Sequence, residues 1–196
     1  MKSLAIILIL QVLNTFCFGQ SQKEKQFETA IQEVVNAFSK QNGETIAKYI
    51  NKNIGLYQLD RVGVFDHYNR FTAICFTDTT YPQILFRRAK GVQSFSIKYA
   101  KLPKWDCGKQ VWSKKGLFVD TTTTDHLLSE ICKARNKYRP DTISAKTIQY
   151  FYSLENDSRR VVLYDNNGIE LVFYLTYYHE KWFFTIIDNV SSDCSV

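Results

Sequence analysis

The chain has no C-x-x-C pair among its five cysteines. It has only three histidines, His67, His126 and His179, and none is spaced as H-x-H or H-x-x-x-H. Zinc binding and thioredoxin-like redox chemistry depend on such spacings, so neither is indicated. Glycine-rich phosphate loops, nucleophile elbows and zinc-protease helix motifs are missing. No apolar run reaches the roughly 20 residues that span a bilayer. There are no repeats, low-complexity tracts or linkers to divide the 196 residues. No catalytic residue, metal or cofactor is therefore assigned. What is present is a folding composition, 45% hydrophobic and 22% charged, which separates the chain from disordered ones. The aromatic share of 15% favours strands in the core.

The start, "MKSLAIILILQVLNTFCFGQ", places Lys2 before an apolar stretch from Leu4 to Phe16, interrupted by Gln11, Asn14 and Thr15. Cys17 and Gly19 put small residues at the −3 and −1 positions of a cleavage site. The expectation is a signal peptide over residues 1–19, a single domain over 20–196, and export to a periplasmic or extracellular space. Two alternatives are a lipoprotein signal acylated on Cys17, for which Phe16 is unusually large, and a retained anchor. Cleavage leaves Cys75, Cys107, Cys132 and Cys194. An even count in an exported chain suggests disulfides, with three connectivities open.

Ser21 and Glu24 form a capping box, and Phe27, Ala30, Ile31, Val34, Val35 and Phe38 follow at helical spacing. Asn42-Gly43 is expected to end this helix through a left-handed cap. A short second helix runs roughly from Glu44 to Ile50. "GLYQLDRVGVFDHYNRFTAICF" reads as short strands broken around Asp60 to Gly63 and near Asn69, with residues 71–76 buried on both sides. In "SFSIKYAK", Phe95, Ile97 and Tyr99 point inward. Residues 124–139 read as a helix capped by Thr124 or Asp125. Residues 142–154 fit a helix or a strand, and the longer match is helical. The last 37 residues read as three antiparallel strands, turning at Asn166-Asn167-Gly168 and at His179-Glu180, with the final strand core-facing. The fold class is therefore α+β: an N-terminal helix pair packed on a curved antiparallel sheet that ends in a C-terminal β-meander.

The helix pair followed by Gly55-Leu56-Tyr57, and the meander from Arg160 to Asp188 with its "EKWFFTIID" ending and Lys181-Trp182 hairpin edge, resemble the nuclear transport factor 2-like superfamily. The chain is most similar to small exported members of Bacteroidota type, whose function is unknown. The resemblance covers about a third of the chain and implies a cone-like sheet wrapped around the first helix. The superfamily includes isomerases, dehydratases, polyketide cyclases and plain binding modules, whose pockets use Asp, His and Tyr. No motif here carries a family catalytic residue to a numbered position, and fold analogy alone does not give function.

Charge is unevenly distributed. Residues 87–115 hold nine Lys and Arg (Arg87, Arg88, Lys90, Lys98, Lys101, Lys104, Lys109, Lys114, Lys115) against one acid, Asp106. Phe95, Tyr99, Trp105 and Trp112 lie between them. The functional reading is a surface for lipid head groups or acidic glycans, with Trp105 and Trp112 available for stacking; nucleic acid does not suit an exported protein. The plain reading is an exposed hairpin with its aromatics buried beneath. Asp188 ends the last strand and is a pocket base in a cone, or else a cap for the following turn. Asp66-His67 and Asp125-His126 are sequence neighbours that do not face each other. Cys107 with Cys132, and Cys75 with Cys194, are the expected bridges; the alternative leaves Cys75 as a small buried apolar residue. The leading expectation is a non-enzymatic module that binds a small ligand or protein partner, with no membrane span after cleavage. An anionic-surface binder comes second. An isomerase- or hydrolase-type enzyme comes third, favoured by a buried Asp or His beside a Tyr hydroxyl.

Overall fold

The structure, a computed structural model, describes residues 22–122 and 124–194. The proposed leader with its cleavage point, Cys17, and Ser21 of the capping box lie outside these residues. The fold is α+β, and the described residues form four α-helices, a seven-stranded sheet and a two-stranded ribbon.

Helix α1 spans residues 22–40. Its spacing buries Phe27, Ala30, Ile31, Val34, Val35 and Phe38 on one stripe, as a 3.6-residue period requires. The left-handed cap expected at Asn42-Gly43 falls earlier in the chain. Gln41 takes the left-handed conformation (φ 54°). Asn42 instead caps α2 (Gly43–Ala47), its side chain accepting from the Thr45 N–H. Asn suits that position because its side-chain oxygen substitutes for a missing helical acceptor.

Strands β1 (Leu56–Val62) and β2 (Phe65–Phe71) form one hairpin, paired Val62 to Phe65 through Leu56 to Phe71. The break expected near Asn69 is absent, since Asn69 pairs with Gln58 mid-ladder. Residues 72–76 are not a strand: only Ile74 and Phe76 are buried, while Cys75 is exposed. A 3-10 turn follows at Gln83–Arg87. Next come β3 (Ile97–Tyr99), β4 (Trp105–Asp106), β5 (Val111–Trp112) and β6 (Gly116–Val119). Phe95 and Ile97 are half-buried and Tyr99 is exposed, so the inward alternation fades at the strand's end.

Helix α3 is Leu127–Tyr138 and α4 is Ala145–Asn156. The segment that fitted two readings is thus helical, started by Ser144, whose hydroxyl accepts from the Thr147 N–H. Neither Thr124 nor Asp125 caps α3, which has no local side-chain cap. The meander β7 (Ser158–Tyr164), β8 (Glu170–Tyr178) and β9 (Lys181–Asp188) closes the fold. The sheet order is β2-β1-β9-β8-β7-β6-β3. It is mixed rather than wholly antiparallel, because β1 runs parallel to β9 and β3 parallel to β6.

Both faces of the sheet are covered. On one, α1 packs on Val161, Leu163, Leu171, Phe173, Leu175, Phe184 and Ile187. Phe38 sits at its centre, edge-on to Phe76, Phe86 and Phe184. On the other, α3 and α4 cover Tyr57, Leu59, Tyr174 and Ile186, while the β4–β5 ribbon covers Val162, Tyr164 and Val172 through Trp112. In the β8–β9 ladder, Leu175 faces Phe184 but Tyr174 faces Ile186. Thr185 is therefore an extra residue, and it reverses the side-chain parity of β9 as a bulge does. Phe184 and Ile187 thereby share the α1 face, and Ile186 lies opposite.

Candidate functional site

The basic segment is spread over the surface. Eight of its nine bases are exposed and Arg87 is half-buried. Lys98 and Lys114 are the pair the fold draws together, with Nζ atoms 5.4 and 5.8 Å from the Phe118 ring. Lys115 donates to the Asn166 carbonyl, and Lys109 lies 3.7 Å from Asp106. Lys90 follows the 3-10 turn, and Lys101 and Lys104 lie between β3 and β4. Trp105 and Trp112 pack against each other at 5.6 Å. The indole N–H of Trp112 donates to Glu170 and that of Trp105 to the Cys194 sulfur. Their rings are thus built into the fold. Arg88 and Trp105 share an open cavity of about 600 Å³ with Glu170 and Asp193, whose carboxylates oppose the arginine.

Asp188 faces the α3–α4 side. Its Oδ1 accepts the backbone N–H groups of Val190 and Ser191, so it caps the following turn. Its Oδ2 accepts from Arg160 Nη2 at 2.6 Å and from the Ser191 hydroxyl. Arg160 Nη1 donates to Asp125, which explains why Asp125 is not the cap of α3. Tyr174 lies beneath this ion pair, and burial holds its hydroxyl well above the ordinary phenol range.

The expected disulfide pairing is overturned. Cys107 is bonded to Cys194, while Cys75 and Cys132 are free. Cys132 faces the core of the α3–α4 layer, and burial pushes its thiol up to about 12. Cys75 is not a buried apolar residue; it is exposed, and its thiol is lowered by the Thr77 hydrogen bonds.

Two constellations escaped the sequence reading. The first lies on β1–β2. Asp60 is 4% exposed and sits directly across the ladder from His67. The Tyr81 hydroxyl donates to Asp60 Oδ2 and lies 3.3 Å from His67 Nε2. The imidazole Nε2 is 2.8 Å from Asp60 Oδ1 but misaligned, so that oxygen receives no hydrogen bond. Burial, then the Asp60 bond, raises the Tyr81 hydroxyl above its ordinary range. Gln58 and Asn69, the next pair along the same face, each have a buried amide atom without a partner. The signal was in the hairpin register. Counting outward from the Gly63-Val64 turn pairs residue 60 with 67, whereas sequence adjacency offers His67 only Asp66, which does not face it.

The second is a groove of about 450 Å³ between α1, the end of α2 and the start of β9. Lys25, Lys48 and Lys181 stand around it, over a floor that includes Tyr49, Trp182 and Ala30, and among the described residues no carboxylate lines it. Burial, then the charge of Glu33, raises the Tyr49 hydroxyl. The three lysines come from elements far apart in sequence, so no local motif announces them. Among the described residues, no group of three or more His, Cys, Asp or Glu is arranged to hold a metal ion. No helix among them is long and apolar enough to cross a membrane. Compared with protein-family models, curated proteins and solved structures, the chain matches none of them.

Proposed function

We propose that the protein is an exported, non-enzymatic binding module of nuclear transport factor 2-like kind. Its ligand is a small anion with an apolar body, held in the groove between α1, α2 and β9. The observation that carries this reading is three lysines from three elements around an aromatic floor with no carboxylate among the lining residues. Unneutralised like charges at one site favour an anionic guest, and an aromatic floor supplies the apolar contact that small-molecule sites use. The disulfide supports an oxidising compartment. The test is a fluorescence titration with 8-anilinonaphthalene-1-sulfonate, an anionic aromatic probe. Binding should weaken roughly tenfold in Lys48→Gln/Lys181→Gln, which corresponds to about 1.4 kcal/mol, and should weaken as salt rises. Binding that ignores both changes rejects the groove.

A second reading rests on Asp60, His67 and Tyr81. A buried carboxylate in contact with a phenol and an imidazole is a proton-transfer constellation, as isomerases and dehydratases require. Under this reading, turnover found with a carbonyl substrate should fall about 10²- to 10⁴-fold in Asp60→Asn with the fold retained. Unchanged turnover removes the cluster from consideration.

A further inference from the structure

The tip of the β1–β2 hairpin is built against the usual rule for such turns. Turn residues are normally Gly, Asn, Asp or Ser, which accept the backbone geometry and stay hydrated. Gly63 meets that need with φ 70°, but its neighbours are Val62, Val64 and Phe65, which are 55%, 68% and 50% exposed. Tyr138, at the end of α3 and 69% exposed, adds its ring 4.8 Å from that of Phe65. Four of the ten large apolar side chains that the described residues leave exposed therefore gather at one end of the molecule. A contiguous exposed apolar patch marks an interaction site, whereas scattered ones do not.

The charges around the tip have one sign in excess. Arg135 and Lys137 are exposed on the last turn of α3 and Arg139 just past its end, and none of them takes part in an ion pair with the described residues. Asp66, the carboxylate at the tip, is bonded to Arg61 at 2.6 Å. Asp141 lies just beyond, also exposed. The combination is an exposed aliphatic and aromatic turn, bordering a cavity of about 420 Å³ that it shares with Arg135, Tyr138 and Arg139, with unneutralised bases beside it. Exposed apolar side chains bordered by an excess of bases suit the headgroup and upper acyl region of an anionic bilayer, where apolar side chains insert and bases meet lipid phosphates. The segment 87–115 lacks this combination, because both of its tryptophans are held in the fold.

We infer that the β1–β2 hairpin tip, with Tyr138 and the basic end of α3, docks on anionic phospholipid membranes by inserting Val64 and Phe65. The tip lies on a different part of the chain from the lysine groove, so loss of one function leaves the other intact.

The experiment is co-sedimentation of the mature, disulfide-bonded protein with vesicles of 30% phosphatidylglycerol in phosphatidylcholine and of phosphatidylcholine alone. Binding should require phosphatidylglycerol and fall with salt. It should drop at least tenfold in Val64→Ser/Phe65→Ser and severalfold in Arg135→Gln/Lys137→Gln/Arg139→Gln, with Lys98→Gln/Lys114→Gln unaffected. If the serine variant unfolds by circular dichroism, Val64→Trp serves instead, and its emission should shift to the blue on adding phosphatidylglycerol vesicles. Absence of binding, binding that the tip variants leave unchanged, or a dimer in analytical ultracentrifugation that the serine variant dissociates would each overturn the assignment. The last result would identify the patch as a contact between two copies.

Discussion

Glu155, one residue from the end of α4, serves a different helix from its own. Its carboxylate accepts the backbone N–H groups of Leu128 and Ser129 at 2.6 and 3.2 Å, the donors left open where α3 begins. The positive end of α3 favours the charged form, but burial outweighs it and raises the pKa above the ordinary value. His126 Nδ1, 3.8 Å away, makes no hydrogen bond to it, and Glu130 adds repulsion. The folded state thus binds this proton more tightly than the unfolded chain does. The stability it contributes is complete below the usual carboxylate range and is lost as pH rises through the raised folded value. Urea unfolding of the protein and of Glu155→Gln should show this directly: the stability difference in favour of the native residue should shrink with rising pH. A gap that widens would mean the charged cap dominates. Capping rules are local, so from sequence the cap falls to Thr124 or Asp125. Glu155 lies 27 positions from the N–H it caps, and only the packing of α3 on α4 joins them. Asp60 and His67 are a middle case, legible once the two-residue turn at Gly63-Val64 is recognised and illegible without it.

At the scale of elements, amphipathic spacing was the reliable guide. The stripe of α1 and the three meander strands follow directly from the spacing of apolar residues. The β4–β5 ribbon does not. Its paired segments are two residues each, too short for periodicity, and it depends on outside support. Trp112 anchors it to the sheet through Glu170, Trp105 touches Cys194, and Cys107 is bonded to Cys194 across 87 positions. Cysteine pairing was unreadable for a related reason. Cys75 was assigned to a strand that does not exist, and the terminal segment passes over the ribbon rather than near residue 75. Closing a loop of this size stabilises by about 4.6 kcal/mol in the chain-entropy account. Cys194→Ser should therefore lower the unfolding free energy by roughly that amount, read from urea midpoints. Of the two free thiols among the described residues, Cys75 should react in the native protein and Cys132 only when it is denatured. Loss of less than about 1 kcal/mol would mean that the tryptophan contacts hold the ribbon unaided.

For the whole molecule, the decisive feature is where the last strand inserts. β9 lies between β1 and β8, so the β1–β2 hairpin reaches the rest of the sheet through a strand made by nearly the final residues. Phe184 and Ile187 meet α1 on one face, and Ile186 meets the α3–α4 layer on the other. The aromatic and β-branched character of "KWFFTIID" showed that this strand is interior. Its antiparallel partner β8 was readable from the meander, but β1 was not, because a parallel pairing of Tyr57 with Ile186 leaves no local trace and costs a long loop closure before any contact forms. This predicts a sharp contrast between two truncations. Removing residues 191–196 deletes Cys194 and the Ser191 contact to Arg160 but leaves every sheet ladder intact. The remaining chain should fold with a lowered melting temperature. Removing residues 179–196 deletes β9 and leaves β1 and β8 each without their shared neighbour. It also strips Trp182 and Phe184 from the α1 core, where losing a single such aromatic costs about 3 to 5 kcal/mol. Typical domain stability is about 5 to 15 kcal/mol, so two losses of this size together with the severed ladders exceed what remains. Circular dichroism of the longer truncation should show no cooperative melting transition. A transition at the native temperature would mean that the sheet closes without β9, which contradicts its central place in the strand order.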